Sequence, residues 1–455
     1  MTKARLRLSS GKRLNAQHHN VLNALNKALD AADAGNAIRR HVRLHRDVLE
    51  ADDLTYRLNR IRRIFVIGAG KATAKMAEAI EKMLGDKITG GFVIVPDYLP
   101  SLPKGDRIRY SRGSHPIPSG KNLEGVADML DLVKNAGHDD LILTLLSGGA
   151  SALMEYPIEG VTLDDEKRTT SLLLKSGANI RELNTVRKHI SRVKGGRLGE
   201  ILKPAPVLTL IVSDVIGDEI DAIGSGPTVP DPTTYRSAKH VLTGYRLWSR
   251  VPVHVRNVID KGIRGALPET PKPGDSSFRR VRNVIVGNNR ESCRAAAAEM
   301  KRAGYDARIL STRLVGEARE VGRILGSITT GIHDNGTLLS PPAAIIAGGE
   351  TTVTVKGRGR GGRNQELALA AALEIEGCKH IVLGSLATDG VDGPTDAAGA
   401  LVDGTTIARG RRRGMDPQEY LDDNNTYNYF SRIGDLIRTG PTGTNVNDIM
   451  ILATN

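Results

Sequence analysis

Aromatic side chains are scarce in this chain: one Trp, four Phe and ten Tyr are spread over 455 residues. Single-stranded nucleic acids are held largely by stacking bases on aromatic rings, so no stacking platform is expected. No zinc-finger or RNP-type signature is present, and nucleic acid is set aside as a partner. Cysteine is scarcer still. Cys293 and Cys378 cannot build a disulfide framework, and no Cys/His cluster has the spacing of a zinc site. Long apolar runs are missing. Stretches such as residues 141–146 are far too short to span a bilayer, so no membrane association is expected. The basic start has no apolar core of the kind a secretory signal needs, which leaves a cytoplasmic protein as the expectation.

Positive charge and glycine are what the chain has in plenty. The 64 Lys and Arg exceed the 51 Asp and Glu, for a formal net charge of +13. Residues 1–63 hold 14 basic and 6 acidic side chains, so much of the excess is local. Residues 1–13 show neither apolar periodicity nor a ligand-type turn and read as dispensable for chemistry. A basic balance fits small anions as well as polymers. The length sets an expectation of two or three domains with real cores.

Most apolar runs end in small or polar loops. Residues 14–58 read as two helices, with Val21, Leu22, Leu25 and Leu29 at helical spacing. Residues 64–67 form a buried strand that runs into Gly68, Gly70 and Lys71, then a helix through Met76 and Ile80. This is strand, glycine turn, helix. It is not a Walker loop, and Thr73 stands where a dinucleotide fingerprint needs its third glycine. Lys71 reads either as an anion-binding cation in the first turn of the helix or as an exposed surface lysine. His115 sits between Ser114 and Pro116 in a rigid loop and is a ligand candidate. The strand at 141–146 delivers Ser147, Gly148, Gly149 and Ser151, a second anion-binding turn. A helix over 179–193 carries Asn184 and Arg187, and Lys194 opens the turn that ends it. Asp214 follows the strand at 207–212, and Asp389 follows the strand at 381–383. Carboxylates just past strands are where Mg²⁺ ligands sit in phosphoryl-transfer sites, and turn capping is the other role such residues take.

Residues 343–370 are the densest signal. A short apolar strand ends at Gly348, Gly349 and Glu350, and the β-branched alternation at 351–356 reads as a second strand. Residues 356–363 then hold one Lys, three Arg and four Gly. Asn364 is placed to cap the helix that follows. The segment is either a solvated basic loop or an anion cradle of glycine N–H groups, guanidinium forks and a helix N-terminus. Alternating strands and helices predict an α/β protein with two three-layer α/β domains. The N-terminal domain is expected to be Rossmann-like with a largely parallel sheet, and the C-terminal one to hold a mixed sheet. The two sets of loops suggest domains of residues 1–240 and 241–455 facing one interdomain cleft. Glycine loops, Lys, Arg and Asp around a cleft are the parts of a phosphoryl-transfer site.

The ordered motifs at residues 68–72, 115–118, 147–153, 183–189, 194–198, 213–215, 225–228, 348–352, 361–366, 387–398 and 441–448 resemble the class II glycerate 2-kinases. That family carries a MOFRL region near its C-terminus, here about residues 343–450. The resemblance implies ATP and Mg²⁺ as cofactors, D-glycerate as substrate and 2-phosphoglycerate as product. It implies Lys71 and Arg363 as the pair that binds substrate and catalyses transfer. It implies small-molecule partners only, in a monomer or homodimer. Ala150 stands where members often have a third glycine, and Ile216 where proline is common. Related sequences are often labelled hydroxypyruvate reductases. On that alternative the Gly68 turn would bind an NAD(P) pyrophosphate and Asp97 the ribose.

Overall fold

The computed structural model describes residues 6–8, 14–99 and 101–455. The basic segment singled out at residues 1–13 therefore lies mostly outside the described residues. Within it, β1 (Arg7–Leu8) pairs with a strand near the C-terminus, and Leu6 and Leu8 pack against a buried core. Those contacts give this stretch a packing role. The first helix, Ala16–Ala32, is capped by Asn15, whose side chain accepts from His18 N at 3.0 Å.

The chain then enters a compact unit of residues 34–286, while the described residues up to Asp33 belong with residues 287–455. Residue 240, the expected boundary, lies inside the helix Tyr235–Gly244. Tyr235, Ala238 and Leu242 of that helix are buried with Leu183, Val186, Val255 and Ile259, so the 34–286 core continues through it.

The 34–286 unit opens with a small antiparallel sheet of β2 (Val42–His45), β3 (Val48–Ala51) and β4 (Leu54–Arg57). Six strands follow: β5 (Arg63–Ala69), β6 (Ile88–Pro96), β7 (Ile108–Gly113), β8 (Asp140–Ser147), β9 (Val207–Val212) and β10 (Val281–Gly287). Their spatial order is β10-β9-β8-β5-β6-β7, and β5 pairs in parallel with both β6 and β8. Read from β5, this is the doubly wound order 3-2-1-4-5-6, so the Rossmann-like expectation holds. Every residue of β8 is buried, as a parallel strand covered on both faces requires. Ile67, Ile94, Ile142, Leu146 and Ile211 meet Val126 and Met129 in one core.

The other unit adds β11 (Asp306–Leu314), β12 (Ala343–Gly349), β13 (Ile381–Ala387), β14 (Gly399–Asp403), β15 (Leu436–Arg438) and β16 (Asp448–Thr454). The order is β1-β15-β14-β13-β16-β12-β11, with β11 and β12 parallel and β16 antiparallel to both β12 and β13. The sheet is mixed, as expected. Ile345 and Leu452 face the helices Ala318–Asn335 and Arg363–Glu374; Ile346 and Ile451 face Ala16–Ala32 and Asn289–Arg302. The alternation along each strand thus builds a three-layer unit. Residues 351–356 do not form the expected second strand. Only Thr352 is bridged, to Glu317. Both cysteines are free thiols, and among the described residues no helix is long and apolar enough to cross a membrane.

Candidate active site

In a doubly wound sheet the strand order reverses at one point, and the loops there diverge to leave a crevice at the carboxyl ends. Here that point lies between β5 and β8. The turn after β5 presses onto the turn after β8: a Cβ at Gly70 would sit 2.2 Å from Ser147 Oγ, and Gly70 has φ +146°. Only glycine fits there. Ser147 Oγ accepts from Ala72 N at 3.0 Å, and Lys71 N donates to Gly148 O at 2.9 Å. Lys71 lies in the turn before the helix Thr73–Leu84, one step earlier than the sequence suggested.

Gly149, at φ +82°, is flanked by two candidate side chains. A Cβ there would lie 3.0 Å from ring atoms of His115 and 3.2 Å from Lys71 Cγ. Lys71 makes no ion pair among the described residues. Burial, and then the Lys71 charge beside it, lowers the His115 imidazole to about 4, so the ring is uncharged at neutral pH. Its plane stands edge-on to Tyr98, with ring centroids 6.3 Å apart. The Asp214 carboxylate lies against the Gly148 backbone, where a Cβ would be 1.9 Å from its Oδ2. Lys71, His115, Ser147, Gly148, Gly149 and Asp214 are thus brought together with Gly68 and Gly70 at one sheet edge.

Three candidates support this edge from behind. Asn184 is buried and accepts from Ser225 Oγ at 2.9 Å, and Ser225 Oγ contacts Ser151 Oγ at 3.1 Å. Arg187 Nη2 donates to Ser151 O at 2.8 Å and to Glu155 at 3.2 Å. Lys194 is only 1 % exposed, and its ammonium is taken by Glu155 and by Met154 O. The expectation that Lys194 binds a ligand is corrected: it neutralises a buried carboxylate. Burial pushes Glu166 well above the ordinary glutamate range, and the Glu155 charge adds to that.

The second set of candidates lies in the other unit. Asp448 opens β16 in register with Gly349 of β12 and Ala387 of β13. Arg363 grips it with both edges of the fork, Nε to Oδ2 at 2.6 Å and Nη2 to Oδ1 at 3.0 Å. Arg363 Nη1 also contacts Glu350 Oε1 at 2.9 Å. Burial raises the Asp448 carboxyl to about 7, against the pull of Arg363. Asp389 Oδ1 accepts from Val391 N at 3.0 Å, a turn-capping contact.

Asn364 does not cap the helix. Gly362 is the cap residue, and Asn364 is fully buried in the first turn. The cap comes from Asp392, which accepts from Asn364 N at 3.0 Å and Gln365 N at 2.9 Å, and from both side-chain amides at 3.2 and 2.9 Å. The glycines of residues 357–362 serve close packing. A Cβ at Gly357 or Gly359 would lie 2.3 Å from Asp423 or Asn425, and one at Gly361 would lie 2.3 Å from Thr426 Oγ1. The N–H groups at the start of the loop are taken: Lys356 N and Gly357 N donate to Asn424 Oδ1 at 2.8 and 3.0 Å, and Arg358 N to Asp423 at 2.9 Å. They are not open to an anion. Asp392 and Asp448 were missed in the sequence, although Asp448 stands directly before the apolar run that becomes β16. Among the described residues no group of three or more His, Cys, Asp and Glu is placed to hold a metal ion.

Residues 20–260 match a family model described as a domain of unknown function, DUF4147, and residues 343–448 match the MOFRL family. The chain is 43% identical over 431 residues to the glycerate 2-kinase of Pyrococcus horikoshii, covering 94% of this chain and 96% of that one. The chain belongs to the glycerate 2-kinase family. The crystal structure of the Thermotoga maritima glycerate kinase superposes with a TM-score of 0.86 at 40% identity, over 96% of this chain and 99% of that one. A protein of Agrobacterium vitis named a putative hydroxypyruvate reductase is 41% identical over 85% of this chain and 86% of its own. Within this glycerate 2-kinase family chain, DUF4147 falls almost wholly in the 34–286 unit and MOFRL in the other.

Proposed function

We propose that this chain is a glycerate 2-kinase that transfers the γ-phosphoryl group of ATP to O2 of D-glycerate, giving 2-phosphoglycerate and ADP. The observation that carries this is Lys71, a cation without an ion-pair partner among the described residues, set beside an uncharged imidazole at the switch point of the sheet. Its partners are small molecules, and the cytoplasm, where ATP is made and used, is the proposed location.

Substrate and co-substrate are both anionic. Lys71 balances carboxylate or phosphoryl charge, and the turns after β5 and β8 keep its stem fixed against Gly149. The 2-hydroxyl oxygen forms a bond to Pγ as the bond from Pγ to the bridging oxygen breaks. In a loose transition state the hydroxyl proton leaves late, passing to solvent once the O–P bond has formed, so a strong base is unnecessary. His115, uncharged, accepts a hydrogen bond from that hydroxyl without adding a second cation beside Lys71. Arg363 presents a guanidinium held in one orientation by Asp448. Mg²⁺ binds through one or two carboxylates and phosphate oxygens, a donor set that Asp214 fits at the Gly148 turn. Asp389 is the second candidate. The ion, when bound, supplies neutralisation of phosphate charge.

The name borne by the Agrobacterium relative favours a second reading, an NAD(P)-dependent hydroxypyruvate reductase. Thr73 argues against it. It is fully buried where the third fingerprint glycine would be, and its hydroxyl donates to Gly70 O at 2.7 Å. One assay separates the two. Purified protein with D-glycerate, ATP and Mg²⁺ should form 2-phosphoglycerate, identified by phosphorus NMR, and should lose turnover in EDTA. Any acid limb near 7 in its pH profile belongs to Asp448, which holds the Arg363 fork, and not to His115, which titrates well below that value. Hydroxypyruvate-dependent NADH oxidation with no phosphorylated product would replace the kinase reading by the reductase.

A further inference from the structure

The opposite edge of the same sheet carries a second concentration of positive charge. A hollow of about 750 Å³ opens at the amino ends of β5, β8, β9 and β10. Residues from three chain segments line it, at 54–61, 138–140 and 279–282, together with Pro206. Arg57, Arg60, Arg279, Arg280 and Arg282 all line it. Among the described residues none of the five is in an ion pair. The nearby carboxylate that could neutralise them is already taken. Asp140 is fully buried and held by Arg63 at 2.7 Å and Arg62 at 3.1 Å, well below the usual carboxylate range. Asp139 is left to offset one charge of the five.

Two of these guanidinium groups are fixed in place by backbone carbonyls. Arg280 donates to Pro204 O at 3.2 Å and His138 O at 3.0 Å, and its Nη1 meets His138 Nδ1 at 3.1 Å. Arg282 donates to Arg279 O at 3.0 Å and Val281 O at 2.9 Å. Val207 N bonds Arg280 O at 2.9 Å, which anchors this arginine run to the first residue of β9. Tyr56 brings an aromatic ring into the same hollow, half-buried and within reach of the Arg282 charge.

Five like charges around one hollow repel one another, and a fold gains nothing from holding them there unpaired. Guanidinium forks fixed in direction match the paired oxygens of phosphoryl groups. The volume is that of a small-molecule pocket. The strands between this edge and Lys71 are six to eight residues long, so the two places lie roughly 20 Å apart. We propose that this hollow is a second anion site, separate from the Lys71 turns, that binds a small molecule bearing two or more phosphoryl groups.

The proposal does not rest on the kinase reading, and calorimetry on the full-length protein tests it. The probe is inorganic tripolyphosphate, titrated into wild type, Lys71→Ala and the double variant Arg60→Ser/Arg282→Ser. Binding at the hollow should survive Lys71→Ala. It should weaken by about tenfold for each guanidinium lost, so about a hundredfold in the double variant. A second pair, Arg57→Ser/Arg279→Ser, should act alike, with circular dichroism confirming the fold of each. Fructose 1,6-bisphosphate and ATP, titrated into Lys71→Ala with and without Arg60→Ser/Arg282→Ser, tell a sugar bisphosphate from a nucleotide; tighter binding of either that the two Ser changes weaken supports the site. Unchanged tripolyphosphate affinity in both double variants would overturn the proposal. So would equal competition by sulfate at matched ionic strength, which marks a general basic face. Binding of a short oligonucleotide with none of tripolyphosphate would also overturn it.

Discussion

A guanidinium has five N–H donors in one plane, and at Arg363 three nitrogens already face carboxylates. The two acids differ in reach. The Asp448 side chain is 0% exposed and fixed at the start of β16, while that of Glu350 is 42% exposed. An anion that reached Arg363 would therefore displace Glu350 and not Asp448, so Asp448 sets the direction of the fork and Glu350 would compete with such a ligand. Arg363→Lys keeps the charge and loses the fork; Asp448→Asn loses its anchor. Each should lower kcat by about 10²–10³, the cost of one preorganised electrostatic contact. Arg358→Lys should cost under about tenfold, as an exposed charge does. Steady-state kinetics on the three variants checks this, and equal effects from all three would sink the special role of Arg363. The resemblance singled out Arg363, and its place after the glycines at the start of a helix was legible in the sequence. Its partner was not, because Asp448 lies 85 residues away and meets it only through the pairing of β12 with β16. Asn364 misled for the same reason. Local preference puts an Asn at the cap, but the buried Asp392, 28 residues distant, takes the N–H groups.

Glycines show the same limit at the scale of the element. Gly68 and Gly70 were read from the strand-turn-helix pattern, and the structure gives Gly70 a positive φ and Ser147 at its back. Those features follow from a local βαβ unit, so sequence carries them. The glycines of residues 357–362 looked alike in sequence and do something else. None has a positive φ, and each lies against the chain at 423–426 or against Asp392. Gly359→Ala should therefore act on stability. Its Cβ would meet Asn425 Cβ at 2.3 Å and Asp423 O at 2.5 Å, and such overpacking costs about 1–3 kcal/mol. Thermal unfolding should shift down by several degrees while kcat is retained. A loss of kcat at unchanged Tm would return this loop to the role of an anion cradle.

For the whole molecule, the alternation of strand and helix was enough to predict two α/β units, one Rossmann-like with a largely parallel sheet and one with a mixed sheet. The boundary was not readable, because nothing local marks a chain that begins in one unit, leaves it at residue 33 and returns at 287. The first helix belongs to the sheet of the later residues. Gln17 Nε2 donates to His380 O at 2.7 Å and Ala453 O at 3.0 Å, and His18 Nε2 meets Asp403 at 2.8 Å. Val21, Leu25 and Leu29 are buried against Cys293, Met300 and Ile451. Burying each large aliphatic side chain contributes about 1.5–3 kcal/mol, so these three rival the total stability of a domain, about 5–15 kcal/mol. Residues 287–455 expressed alone should thus expose one face of their sheet, bind ANS and unfold without a cooperative transition. Joining residues 14–33 to them through a flexible Gly/Ser linker should restore a cooperative transition in calorimetry, and Leu25→Asp in that fused chain should abolish it again. If residues 287–455 alone melt as sharply and at the same temperature as the fused chain, the helix is only an accessory layer, and the division at residue 33 has no energetic meaning.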